Sequence, residues 1–315
     1  MSTPAPLPLR VGDLPVAQFA RELAAGRIAV RIGPFDVRLR AIARGLAEPL
    51  HALYTDYPLL TGERVLHAHV EVRDAWRWLP RPRRRVRFLV DGRAPHEDMP
   101  AGQALPVLEW GINLVIALRY HCYLMLHAAV LERGGRALLL PAWPGHGKTT
   151  LCAALAHRGW RLFSDEFGLM RPGTRELVPI PRPMPLKNAS IAVIRQFVPQ
   201  AFLGPTIPNT RKGTIAHVRP PADSVARAQE RAPAAWLVFP RWQEGAALGL
   251  EEIPKSEGYM QLATNAFNYE MLGEAGFTTA RDLVDGARCF RLVYSDLEEA
   301  VGALTALADS TGEVP

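Results

Sequence analysis

Arg136-Ala137-Leu138-Leu139-Leu140-Pro141-Ala142-Trp143-Pro144-Gly145-His146-Gly147-Lys148-Thr149-Thr150-Leu151-Cys152-Ala153-Ala154-Leu155-Ala156 decides how this chain is read. The apolar run at 136–141 reads as a buried strand and the run at 151–156 as a helix, with a glycine- and lysine-bearing loop between them. Strand, glycine loop, helix is the context that a phosphate-binding loop requires. Gly145 and Gly147 let backbone N–H groups turn inward around phosphate oxygens, and the helix beginning near Lys148 adds its positive N-terminal end. Lys148 has the reach for the terminal phosphates, and the Thr149 hydroxyl is a Mg²⁺ ligand of the right kind. The spacing therefore predicts a site for ATP with Mg²⁺, its nucleotide-binding residues being Gly145, His146, Gly147, Lys148, Thr149 and Thr150. The usual pattern opens on glycine where this chain has Ala142. A Cβ there requires an extended or right-handed backbone.

Working outward, residues 161–170 read as one strand after the loop helix, and that strand carries Asp165-Glu166. Chemistry on a Mg²⁺-nucleotide needs carboxylates close to the phosphates, to hold metal or to take a proton from an attacking hydroxyl. Residues 235–239 read as a short strand stopped by Pro240, with no acidic residue at its end. Residues 179–185 hold too many prolines for a central strand. Residues 204–221 are bounded by Gly204-Pro205 and Pro220-Pro221 and carry Arg211 and Lys212. They read as a long mobile loop that closes over the phosphates and places two cations on developing charge. Helices are expected near 259–271 and 279–286. A last strand at 289–294 leads to a helix from Ser295, capped by Ser295 with Glu298.

The first 125 residues carry no catalytic motif and read as a smaller α+β region. Its signals are helices at 16–25 and 42–54, a hairpin across Gly33-Pro34, and strands at 65–72 and 86–90 that pair. Residues 126–315 read as the nucleotide-binding domain. The chain has 315 residues, 48% hydrophobic and 22% charged, ordinary values for a globular protein. The net charge of +6 suits an anionic ligand. Arginine is the default cation, and lysine occurs only at 148, 187, 212 and 255, which marks those four positions for attention. The cluster Arg81, Arg83, Arg84, Arg85 and Arg87 has no reader motif or interleaved aromatics, so it reads as a solvated strand edge and not as a nucleic-acid surface. The apolar run at 110–126 is interrupted by Asn113, Arg119 and His121, so it reads as a buried helix continuing into a strand, and no membrane association is expected. No basic-then-apolar leader opens the chain at Met1-Ser2-Thr3-Pro4-Ala5-Pro6. Cys122, Cys152 and Cys289 form no disulfide framework or metal cluster, which fits a cytoplasmic setting.

The compact order of these motifs resembles HPr kinase/phosphorylase. It runs His127-Ala128-Ala129-Val130-Leu131, Pro144-Gly145-His146-Gly147-Lys148-Thr149, His157-Arg158-Gly159-Trp160-Arg161-Leu162, then Ser164-Asp165-Glu166. The likeness is strongest over residues 120–175. It is closest to the group called HPr kinase-related proteins, whose Pro-Arg-Pro segment ending in Leu-Lys-Asn is similar to Pro181-Arg182-Pro183 through Leu186-Lys187-Asn188. Their Thr-Arg-Lys-Gly loop is similar to Thr210-Arg211-Lys212-Gly213. The Glu-Ile-Arg-Gly-type signature of the classical enzymes is absent. The resemblance implies an α/β fold with a P-loop kinase domain of the HPr kinase/phosphoenolpyruvate carboxykinase type. It also implies transfer of a phosphoryl group to a serine hydroxyl. By position Asp165 takes the catalytic-base role, Glu166 joins Thr149 as a metal ligand, and His127 matches the family histidine; Lys148, Arg211 and Lys212 complete the catalytic set. A peptide or small-protein acceptor is implied, with a PqqD-like peptide-binding protein as a partner, and a homo-oligomer is left open. A small-molecule kinase and a non-catalytic ATP-binding regulatory or scaffold protein are the alternatives. A GTPase is not expected, because no Asn-Lys-x-Asp guanine motif is present.

Overall fold

Gly33, at φ 56°, turns the predicted hairpin, and it also lies so close to Pro179 O that a Cβ would sit 2.1 Å from it. The computed structural model describes residues 9–62, 64–77, 82–143 and 145–310. The N-terminal leader reading, Pro80 and Arg81 beside the arginine cluster, and Pro144 of the glycine loop lie outside the described residues. The first part of the chain runs α1 (Val16–Ala24), β1 (Ile28–Ile32), β2 (Phe35–Ala41), α2 (Ala47–Leu53), β3 (Ala68–Arg77), β4 (Arg83–Val90), β5 (Met99–Pro100) and α3 (Ala104–Arg119). Its five strands form one sheet in the order β1-β2-β3-β4-β5. The helix expected from Ile42 begins only at Ala47. Gly45 at φ 71° breaks the helical run, and the backbone N–H groups of Ile42 and Ala43 donate to Val72 O, prolonging β2. The arginines of β4 are not a free edge: Arg84 pairs with Asp74, and Arg87 and Arg85 both bind Asp98. The apolar run Ala101–Arg119, which includes α3, is long and apolar enough by length and composition to cross a membrane, but 61% of it is buried inside the protein. Its partners are β3 and β4.

The rest of the chain continues with β6 (Leu124–Arg133), β7 (Arg136–Pro141), α4 (Lys148–Ala156), β8 (Arg161–Ser164), β9 (Phe167–Met170), β10 (Glu176–Val178), β11 (Met184–Lys187), α5 (Ala189–Phe197), β12 (Ile207–Thr210), β13 (Gly213–Val218), α6 (Ala222–Ala226), β14 (Ala232–Trp242), β15 (Gly249–Glu252), α7 (Lys255–Thr264), α8 (Tyr269–Leu272), α9 (Glu274–Gly286), β16 (Arg288–Tyr294) and α10 (Leu297–Ser310). The main sheet has the order β10-β9-β6-β7-β14-β16-β15, with β8 also on β6. The neighbours β7, β14 and β16 are parallel, whereas β6 runs antiparallel to β7, β8 and β9. The chain is therefore mixed α/β. Helix α4 is apolar all round and its residues Leu151 to Leu155 are wholly buried, as a helix laid over the centre of a sheet must be. Inside this part, Arg161 and Glu132 form an ion pair with side chains 4% and 5% exposed, and Arg161 also donates to the carbonyls of Arg227 and Glu230.

Several expectations are corrected. The single strand at 161–170 is two strands, β8 and β9, both paired to β6 and interrupted at Asp165-Glu166. The strand expected to stop at Pro240 runs on to Trp242. Pairing to β7 ends at Leu237, so Pro240 lies where its missing N–H breaks no bond on that side. The mobile loop at 204–221 is largely the hairpin β12–β13, and only Arg211-Lys212 form its turn. The hairpin tip rests on α3 and the turn before it: Gln103 Nε2, just ahead of α3, donates to Asn209 O at 2.9 Å, and Lys212 Nζ lies 5.6 Å from the centre of the Trp110 ring on α3. The helix at 259–271 ends at Thr264, because the Asn268 side chain turns away to bond Met125 N and Tyr123 O. Helix α10 is capped by Asp296, which accepts from Glu299 N at 2.9 Å, while Ser295 Oγ accepts from Gly245 N. As expected, residues 179–183 stay out of the main sheet. β11 follows them as an edge strand of the three-stranded sheet β11-β13-β12.

Candidate functional site

The glycine loop leaves the C-terminal end of β7 and enters α4 at Lys148. Gly145 has φ 90° and Gly147 φ 84°, conformations that side-chain-bearing residues rarely adopt. Around Gly145 a Cβ would meet nothing, so that glycine is required by its backbone alone. At Gly147 a Cβ would lie 2.5 Å from Tyr294 Oη and 3.0 Å from Trp242 Cβ, so both space and conformation demand glycine. Ala142 is absent from the described non-glycine residues with positive φ, which are Asp91, Asn188 and Asn209. No side chain caps the start of α4, so its first N–H groups are left for a ligand. His146 sits in the loop, its N–H donating to Trp143 O and its carbonyl accepting from Trp242 N. Thr149 and Thr150 occupy the first turn of α4.

Lys148 joins the loop to the carboxylates: its Nζ donates to the Asp165 carbonyl at 2.7 Å. The break between β8 and β9 places Asp165 and Glu166 beside β6, held by Ser164, whose Oγ accepts from the Glu166 and Phe167 N–H groups. Asp165 is 8% exposed and its Oδ1 is buried without a hydrogen-bond partner. Burial pushes its carboxyl up to about 6, against the pull of the Lys148 ammonium, and with a push from Glu166 and a pull from the Thr149 hydroxyl. Among buried carboxylates such a value marks a group poised to exchange a proton near neutral pH.

His127 on β6 faces the same site. Burial, then the Lys148 ammonium, push it down to about 4, so the imidazole is neutral at neutral pH. Its ring lies 5.4 Å from that of Phe267. Lys187, on β11, is pushed below the usual lysine value by partial burial and then by Lys212, while Asp165 and Glu166 draw it back up. Lys148 and Lys187 thus both act on Asp165, and Lys148 and Lys212 both act on Lys187. Arg211 sits exposed at the hairpin turn, and Lys212 is the member of that pair whose charge reaches His127 and Lys187.

The site extends to residues of α3 and of the Pro181-Arg182-Pro183 segment. Asn113 on α3 donates its amide to Glu166 Oε2, and Arg182 donates to Asn113 Oδ1. Arg182 also binds Glu109 through both its carboxylate and its backbone carbonyl, and Tyr54 Oη donates to Glu109 Oε1 at 2.8 Å. This line of bonds runs from α2 through α3 to Glu166, so the N-terminal region fixes the orientation of one site carboxylate. His217, wholly buried, lines the same crevice with Trp110, Asp165 and Glu166. That crevice has a cavity volume of about 20 Å³, space for a water. Lys187 had a signal in the sequence, the scarcity of lysine; Asn113 and Glu109 had none.

The donor set fits a Mg²⁺-nucleotide. Among the described residues no group of three or more His, Cys, Asp and Glu side chains could hold a metal unaided. A nucleotide-bound Mg²⁺ needs only one or two protein oxygens beside phosphate and water. Thr149 and Glu166 meet that need, and the buried Oδ1 of Asp165 beside them has no hydrogen-bond partner. No protein-family model matches this chain, and no curated protein matches it.

Proposed function

We propose that this protein is an ATP- and Mg²⁺-dependent kinase with a P-loop domain of the HPr kinase/phosphoenolpyruvate carboxykinase type. In this reading the γ-phosphate passes to a hydroxyl, that of a serine in a peptide or small protein. The observation that carries the proposal is the Lys148–Asp165 contact, which joins a left-handed glycine loop and a carboxylate of raised pKa in one site. Loop N–H groups and Lys148 hold the phosphates, and Thr149 with Glu166 hold the metal. Bound Mg²⁺ supplies charge neutralisation on the phosphoryl oxygens. Asp165 takes the hydroxyl proton as the new O–P bond forms and the bond to the leaving diphosphate breaks. Lys187 and Lys212 offset charge on the departing and transferring groups. His127 remains neutral and positions by hydrogen bonding. The peptide or small-protein acceptor rests on the sequence resemblance; a narrow pocket is the feature that would favour a small-molecule acceptor instead. A PqqD-like peptide-binding partner is the delivery route that the sequence resemblance offers.

Incubation with γ-labelled ATP, Mg²⁺ and candidate peptide or protein acceptors, followed by mass spectrometry, tests this. Phosphate on a defined serine, absent with Asp165→Asn, is the expected result. Nucleotide binding with no transfer to any acceptor class would assign the protein to non-catalytic regulation instead. A second expectation concerns the metal. Glu166→Gln raises the Mg²⁺ concentration needed for half-maximal binding of ATP by about 100-fold, and Asn113→Ala raises it by about 10-fold, the low end of the range seen when a ligand's outer partner is lost. Because Asn113 acts through Glu166, the double variant shows no further rise. Independent, additive effects in Mg²⁺ titrations would remove Asn113 from this role.

A further inference from the structure

We propose that Trp242 is the stacking platform for the base of the bound nucleotide. The inference rests on the phosphate-loop reading and extends it to the other end of the ligand. Asp165, Glu166 and the Lys148 ammonium lie on the side of the loop that faces β6, β8 and β9. Terminal phosphates drawn to that side leave the nucleoside to run the opposite way, over the C-terminal ends of β14 and β16, the parallel strands next to β7. Ligands of open α/β sheets bind outside the carboxyl ends of the strands. Trp242 is the last residue of β14, stands at that end and is 46% exposed.

Its surroundings fix the ring without any ligand. Trp242 N donates to His146 O at 3.1 Å, tying the strand end to the glycine loop. The indole Nε1 donates to Ser295 O at 3.1 Å, and Gln243 N donates to Tyr294 O at 2.9 Å. The ring's one polar atom is therefore satisfied, and its face is presented with little rotamer freedom left to lose on binding. The main-chain contact to the loop would be made by any residue type; the large exposed ring is what calls for another explanation. A purine base supplies the matching apolar face, and stacking of this kind accepts any base because each has a π-face.

Calorimetry separates the two ends of the ligand. Wild type, Trp242→Ala and Trp242→Phe are titrated with Mg²⁺-ATP and, separately, with Mg²⁺-tripolyphosphate, which has no base. Trp242→Ala is expected to weaken ATP binding about 10- to 100-fold and leave tripolyphosphate affinity unchanged, with Phe recovering most of the loss. Unchanged ATP affinity in Trp242→Ala overturns the platform. So does an equal loss for both ligands, which would give the ring a role in shaping the loop. If wild type binds neither ligand, or binds tripolyphosphate independently of Lys148, the phosphate-loop reading itself has failed and the platform falls with it.

Discussion

Lys148→Ala is expected to abolish measurable phosphoryl transfer and to lower ATP affinity by about 10- to 100-fold, the loss that follows when charge-assisted hydrogen bonds to phosphate are removed. The ammonium is placed for this role by the first turn of α4 and by the Asp165 carbonyl 2.7 Å away. Its removal reaches further than the phosphates. Lys148 pulls the Asp165 carboxyl down against the push of burial, so without it Asp165 holds its proton to a higher pH. The same ammonium suppresses His127 protonation, so His127 titrates higher in the variant. The carboxyl would then keep its proton further toward pH 7, while burial, the larger cause, keeps the imidazole neutral there. The fold is expected to survive, because Lys148 is only half-buried and makes no core contact. Calorimetric titration with Mg²⁺-ATP, beside thermal unfolding, checks both statements. ATP affinity equal to wild type would refute the assignment of the loop.

The loop was legible because everything it requires is local. Left-handed backbone at Gly145 and Gly147, a strand ending before and a helix beginning after are written in consecutive residues. The hairpin at Gly33 and the pairing of β3 with β4 were legible for the same reason. What escaped depends on register and on contacts distant in sequence. Pro240 looks like a strand end until β7 is seen to have stopped pairing at Leu237. A Gly- and Pro-bounded segment reads as a free loop because nothing in it announces that Ile207 and Thr210 will pair with Ile215 and Gly213. Asn113 meets Glu166 only because α3, packed on β3 and β4 of the N-terminal sheet, brings it to the break between β8 and β9, and Arg182 of the Pro181-Arg182-Pro183 segment anchors that helix through buried Glu109. Lysine scarcity, a global property, marked Lys187, which the structure places within electrostatic reach of Asp165, Glu166 and Lys148. The cores also interlock: Phe167, Leu169, Val178 and Ile180 pack with the N-terminal sheet, so the region without motifs shares its interior with β9, the strand that follows the carboxylates.

Asp165→Asn is expected to separate function from stability more cleanly than any other substitution. Transfer falls by about 10²- to 10⁴-fold, the usual loss of a general base, while ATP binding changes little, because an amide keeps the shape but cannot accept the hydroxyl proton. The wild-type rate should itself rise through pH about 6 as Asp165 ionises. Stability moves the other way. The folded-state value of about 6 lies above the ordinary aspartate value of the unfolded chain. Below pH about 4 both states hold the proton and the carboxyl favours neither. As pH rises from about 4 to 6 the unfolded chain releases its proton while the native state keeps it, and the native state loses stability, by about 2–3 kcal/mol once the folded carboxyl has ionised. Asparagine does not titrate, so the variant escapes this loss. Its thermal midpoint relative to wild type should climb across that window and level off above it. The orphaned Oδ1 is why: a buried oxygen with no partner costs most when charged, and a bound metal or an acceptor hydroxyl is what would relieve it. A midpoint difference that stays flat from pH 4.5 to 7.5, or a loss of ATP affinity as large as the loss of rate, would mean that Asp165 holds the site together and does not act as its base.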